Sequence, residues 1–210
     1  MAVIKKGILG GFKGKAGAVV GYRLMEQDIM RGISELRSTE PTKKETANRW
    51  KFKTSQTWLQ PLTEVLRIGF AGYMENCHGF NGAKSFLSKN AVFGLDPFHY
   101  VDPALACISH GSLYSGTGLK AEVTAERIVN FSWDTTGPFA YNDRAIAVAY
   151  DINGKQANYD VSLAKRVEGK AMLQLGEDFE GAEVHVYLGF VTEDRKQRST
   201  SQYLGMFLIP

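Results

Sequence analysis

Past residue 104 the chain becomes a succession of short apolar runs divided by turn-forming residues, and this texture restricts the fold most. Strands are expected near Leu105–His110, Leu119–Thr124, Arg127–Trp133, Ala145–Asp151, Ala157–Val161, Lys170–Leu175, Val184–Val191 and Gln202–Ile209. Eight short strands at this spacing predict an antiparallel β-sandwich of immunoglobulin-like or fibronectin-III-like type. Asn153-Gly154 predicts a tight hairpin turn, because both positions accept positive φ. Trp133, Tyr187 and Phe190 read as packing residues of the sandwich core.

The stretch before these strands reads as helical. Thr42 with Glu45 has the capping-box spacing, and Ala47, Trp50, Phe52, Trp58 and Leu59 follow broadly along one helical face. Trp50 and Phe52 point to different faces, so one of the two is expected in the core. Pro61 suits the first turn of a second helix carrying Leu62, Val65, Leu66, Ile68 and Phe70. A third, shorter helix is expected from Ala83 to Phe93, ended by Gly94. Asp96-Pro97 and Asp102-Pro103 then punctuate the chain and mark a domain boundary.

The first twenty-three residues are of another kind: six glycines, four lysines, one arginine and no acid. Among them stand Val3, Ile4, Ile8, Leu9, Phe12, Val19 and Val20, too few to form a core and too many for a solvated linker. Glycine loses the most backbone entropy on ordering, so such an arm is expected to settle against another surface. Residues 17–34 alternate loosely around Glu26-Gln27-Asp28 and read as a β-hairpin, with a short amphipathic helix over 22–36 as the competing reading.

Net charge is +3, but it is unevenly placed. Residues 1–60 hold twelve Lys and Arg against five acids, whereas the other 150 hold thirteen against seventeen. A basic front and an acidic back suit head-to-tail association, since opposite patches steer encounter. Cys77 and Cys107 lie far apart without CxxC spacing and are expected to be reduced and buried. No apolar run reaches membrane-spanning length. Lys13 and Lys15 interrupt any leader-like apolar stretch, so the chain is expected in the cytoplasm, or outside it by a route without a Sec signal, such as a virion.

Patterns that would carry chemistry fail in detail. Gly10 to Gly17 suggests a phosphate loop, but Leu9 stands where the first glycine belongs and Ala16 where a magnesium-binding hydroxyl belongs. His78, His99, His110 and His185 are dispersed, with no metal-ligand spacing. Ser109-His110 and Ser112 lack a nucleophile elbow. The arm and Arg49-Trp50-Lys51-Phe52-Lys53 interleave cations and aromatics as single-strand binders do, which keeps nucleic acid as a disfavoured alternative.

The string Gly10-Gly11-Phe12-Lys13-Gly14-Lys15-Ala16-Gly17-Ala18-Val19-Val20-Gly21 resembles the opening of the DUF6266 family of uncharacterised Bacteroidota proteins. Arg49-Trp50-Lys51-Phe52, Leu59-Gln60-Pro61-Leu62 with Ile68-Gly69-Phe70, and Ser109-His110-Gly111-Ser112-Leu113 match its general shape. So does the ending, from His185-Val186-Tyr187-Leu188-Gly189-Phe190 to Ser199, Ser201, Tyr203 and Gly205. The family usually places Trp-Lys-Gly after Val-Val-Gly, where this chain has Arg23-Leu24-Met25-Glu26. The resemblance implies this layout and carries no activity.

The expected fold is α+β: a Gly-rich basic arm and hairpin over 1–38, a helical region over 39–103 and an Ig-like sandwich over 104–210. The expected function is that of a non-enzymatic structural protein forming a filament or other homopolymer, with no cofactor and no metal. Its connector is the arm, through Ile4, Lys5, Lys6, Ile8, Leu9, Phe12, Lys13, Lys15, Val19 and Val20 docking on a neighbouring copy. The alternatives are a virion or surface module recognising a glycan or protein, and single-stranded nucleic-acid binding.

Overall fold

A computed structural model describes residues 3, 4, 10–24, 26–35 and 38–210, with residues 3 and 4 described by backbone alone. The chain divides into two compact units, Met1–Thr42 and Lys43–Pro210. Among the described residues no helix is long and apolar enough to cross a membrane.

The first unit is an antiparallel meander of β1 (Val3–Ile4), β2 (Phe12–Ala16), β3 (Val19–Leu24) and β4 (Gln27–Gly32), in that spatial order. The expected hairpin is present as β3–β4, with Leu24 opposite Gln27. Part of the expected arm is also strand. Gly17, at φ 58°, makes the tight turn that sets Ala16 opposite Val19. Phe12 lies across Gly21, so that a Cβ there would collide with its ring and carbonyl. The glycines let the strands approach and turn, which a composition count reads as looseness.

The second unit opens with 27 helical residues: α1 (Lys43–Leu59), a 3₁₀ turn at Gln60–Leu62 holding Pro61 near its start, and α2 (Thr63–Gly69). Proline fits there because the first turn has no intrahelical partner for its missing N–H. After α3 (Gly79–Asn90) comes a hairpin of β5 (Val92–Leu95) and β6 (Phe98–Val101). The expected third helix therefore stops sooner, and Asp96-Pro97 forms the tip of this hairpin. The remaining strands are β7 (Lys120–Val123), β8 (Ile128–Ser132), β9 (Arg144–Asp151), β10 (Gln156–Asp160), β11 (Lys170–Gln174), β12 (Glu183–Val191) and β13 (Gln202–Leu208). They form a four-stranded sheet, β10-β9-β12-β13, and a three-stranded one, β11-β8-β7, all paired antiparallel.

Strand β9 shows how the layers stack. Its alanines 145, 147 and 149 share a core with Val129, Phe131 and Leu173 of the three-stranded sheet. Its larger residues Ile146, Val148 and Tyr150 share another with Trp58, Leu62 and Leu66 of the helices. The centre of the four-stranded sheet is thus buried on both faces, and β9 and β12 read as nearly unbroken apolar runs. Trp133 and Phe190 meet edge to face at 5.5 Å in the core between the sheets, while Tyr187 lies in the helix-side core.

Two local expectations are corrected. Leu105–His110 is not a strand: after a 3₁₀ turn at Pro103–Leu105 its backbone bonds outward, His110 N–H to the Gly69 carbonyl and Ser201 N–H to the Ser109 carbonyl. Asn153-Gly154 does not form a two-residue turn, because Asp151 pairs with Gln156 and leaves a four-residue loop. In that loop only Lys155 has positive φ, at 53°, and the Asp151 carboxylate accepts from Gly154 N–H at 2.8 Å.

Candidate functional site

The connector residues divide by strand parity. The register places Lys15 opposite Val20, Val20 opposite Arg31 and Tyr22 opposite Ile29. Alternation then sets Lys13, Lys15, Val20, Tyr22, Leu24, Ile29 and Arg31 on one face. Phe12, Val19 and Met30 belong to the other. The Arg31 guanidinium stands 5.7 Å over the Tyr22 ring. Met30 is 65% exposed and Leu24 43%, and among the described residues of this unit only Gly21 is buried. Lys5, Lys6, Ile8, Leu9 and the Ile4 side chain lie outside the described residues. Gly10 to Gly17 runs through β2 and is followed by a strand, whereas a phosphate loop leads into a helix.

Within the second unit, α1, the β5–β6 hairpin and the β9–β10 loop border an open groove of about 450 Å³. Trp50 and Lys53 line it from the helix, Tyr100 from the hairpin, and Tyr150 and Lys155 from the sheet side. Neither Trp50 nor Phe52 is a core residue, contrary to the expectation for one of them: they are 39% and 55% exposed. Each carries a lysine, Lys53 Nζ at 5.1 Å from the Trp50 ring centre and Lys84 Nζ at 4.1 Å from that of Phe52. Trp58, further along α1, is buried, and the Tyr150 hydroxyl donates to its carbonyl at 2.8 Å. Burial pushes the Tyr150 hydroxyl up to about 12, with Asp151 adding to the shift.

One face of the hairpin sets four large apolar side chains toward solvent. Leu95 opposes Phe98, Phe93 opposes Tyr100, and their exposures run from 42% to 85%. No local pattern announces this face: residues up to Phe93 read as the end of a helix and Asp96-Pro97 as a domain edge.

The Ser-His string occupies a seam. Ser109 is fully buried and its hydroxyl donates to the Ser199 carbonyl at 2.9 Å. Ser201 Oγ accepts from Ile108 N–H, and Ser199 Oγ accepts from Phe190 N–H, both at 2.9 Å. His110 lies among Phe70, Tyr73 and Phe86 with ring centres 5.2–6.4 Å away, and its Nδ1 is 3.3 Å from Thr200 Oγ1. These hydroxyls join the 108–110 segment to the stretch before β13, and that stretch to β12. Among the described residues no group of three His, Cys, Asp or Glu is placed to hold a metal. Cys77 and Cys107 are half-buried and free, and burial raises the Cys107 thiol.

A family model described as a family of unknown function, DUF6266, matches residues 11–205. No curated protein and no solved structure matches the chain.

Proposed function

The chain belongs to the DUF6266 family, and from that premise we propose that it is a non-enzymatic structural protein that self-assembles, as a filament or other homopolymer, through its N-terminal sheet. The single observation carrying this reading is the bare meander: one antiparallel layer, apolar on Val20, Tyr22 and Ile29, with no second layer among the described residues of its unit. A lone sheet of this size is marginal in water and gains by burying one face on another surface. Ordering some twenty residues costs roughly 20–40 kcal/mol, so the surface that holds them is extensive.

A second copy is the partner that the charge favours. Lys13, Lys15 and Arg31 rim the apolar strip, while residues 61–210 carry four more acids than bases. We read the two facing sheets as an Ig-like or fibronectin-III-like sandwich, whose open edges would accept strands from a neighbour. The same face supports a weaker second reading, single-stranded nucleic acid stacking on Tyr22, although Arg31 already covers that ring.

Sedimentation velocity tests the proposal. The full chain is expected to form a concentration-dependent oligomer, and V20D/I29D to sediment as a monomer with an unchanged circular-dichroism spectrum. Unaltered assembly of V20D/I29D, or of a chain lacking residues 2–23, would remove the sheet as the connector.

A further inference from the structure

We infer that the groove between α1, the β5–β6 hairpin and the β9–β10 loop binds carboxylated sugar units of an acidic polysaccharide. This stands apart from the self-assembly proposal, since the groove lies wholly within the second unit.

Two features of the walls select a sugar. Trp50 and Tyr100 line the groove and are 39% and 61% exposed, so aromatic surface there is still wet. Lys53 takes up one side of the Trp50 ring, as Arg31 does that of Tyr22, and a sugar stacks on what remains. A pyranose ring can lay its C–H face on such a surface and keep its hydroxyls hydrated. An acyl chain would need an enclosed apolar cavity in their place. Thr54 and Thr57, on the same stretch of α1, add hydroxyls that exchange hydrogen bonds with ring substituents. The volume of about 450 Å³ lies within the usual range for small-molecule sites.

The charge selects an acid. Among the described residues Lys53 and Lys155 are the only charged side chains lining the groove, and no carboxylate joins them. Lys53 Nζ stands 5.1 Å from the centre of the Trp50 ring, so a carboxylate borne by a stacked sugar falls within its reach. Lys155 comes from the opposite side, on a loop fixed by Asp151. That carboxylate accepts from Gly154 N–H at 2.8 Å and Gln156 Nε2 at 3.3 Å, so it is engaged within its own loop. The floor is already ordered: Tyr150 meets Trp58 edge to face at 5.1 Å and donates to its carbonyl, so binding need not immobilise it.

Isothermal titration of the full chain with tetramannuronate and tetragalacturonate, against mannotetraose as the neutral control, tests the inference. Saturable binding of a uronate is expected, with the neutral control markedly weaker. K53Q/K155Q should weaken uronate binding about tenfold, the combined worth of two exposed charge contacts. W50A should remove the binding, with thermal melting confirming the fold. Since Lys53 and Lys155 are surface residues, the double variant remains informative if W50A unfolds. The inference is overturned if neither uronate binds, if the neutral control binds equally well, or if binding is unchanged in K53Q/K155Q.

Discussion

Arg166 is the largest fully buried side chain among the described residues, and no carboxylate bonds to it there. Its guanidinium carbon lies 4.0, 4.7 and 5.2 Å from the ring centres of Phe190, Phe139 and Tyr114. Nη1 donates to the Tyr114 carbonyl at 2.6 Å, while Nε and Nη2 have no partner. Burial draws its pKa down, and Asp143 nearby opposes the shift. Three rings can share a flat, weakly hydrated guanidinium; a compact ammonium is more strongly hydrated and cannot spread across them. We therefore expect Arg166→Met to stay within about 1.5 kcal/mol of the parent. Arg166→Lys should lose about 2–4 kcal/mol through an uncompensated buried charge. Urea denaturation measures both, and a lysine variant as stable as the methionine one would refute the account. The sequence holds no signal for this role, because rings at 114, 139 and 190 converge on residue 166 only in the folded unit.

At the scale of elements, the seam from Ala106 to Leu113 is the clearest departure from what local pattern foretold. Its apolar residues suggested a strand, yet its backbone serves three neighbours at once: Gly69, Arg198 and Ser201. Gly69 allows this, because a Cβ there would strike the Ile108 carbonyl oxygen. In a free helix Gly→Ala gains about 1 kcal/mol; here the sign should reverse, with Gly69→Ala costing about 2 kcal/mol or more. A thermal melt of this variant at or above the parent midpoint would show that the seam yields easily. Strand placement elsewhere follows the sequence closely. Seven of the eight expected runs past residue 104 overlap β7 to β13, since period and turn residues are local properties. The β5–β6 hairpin was not legible because its larger apolar residues, Phe93, Leu95, Phe98 and Tyr100, face outward while Gly94 and His99 face inward, which inverts the alternation that marks a half-buried strand.

At the scale of the molecule, helices and both sheets of 43–210 share two cores that meet across the four-stranded sheet. Trypsin digestion under native conditions is expected to cut between Gly32 and Lys43 and leave a fragment from about residue 43 to 210 with a cooperative melt. Fragmentation within the helical region before that boundary is cut would show that the helices are not part of one unit with the strands.

From its residues alone this chain specified seven of the strands past residue 104, the helices on either side of Pro61, the basic front and the family it resembles. Those depend on neighbours a few positions apart, or on composition. Its tertiary structure decided that the helices cover a face of the central sheet, that Arg166 sits among rings, and that Trp50, Tyr100 and two lysines border one groove. Each of these arises from side chains tens of residues apart, and the free energy of such a contact exists only once the chain has brought its partners together.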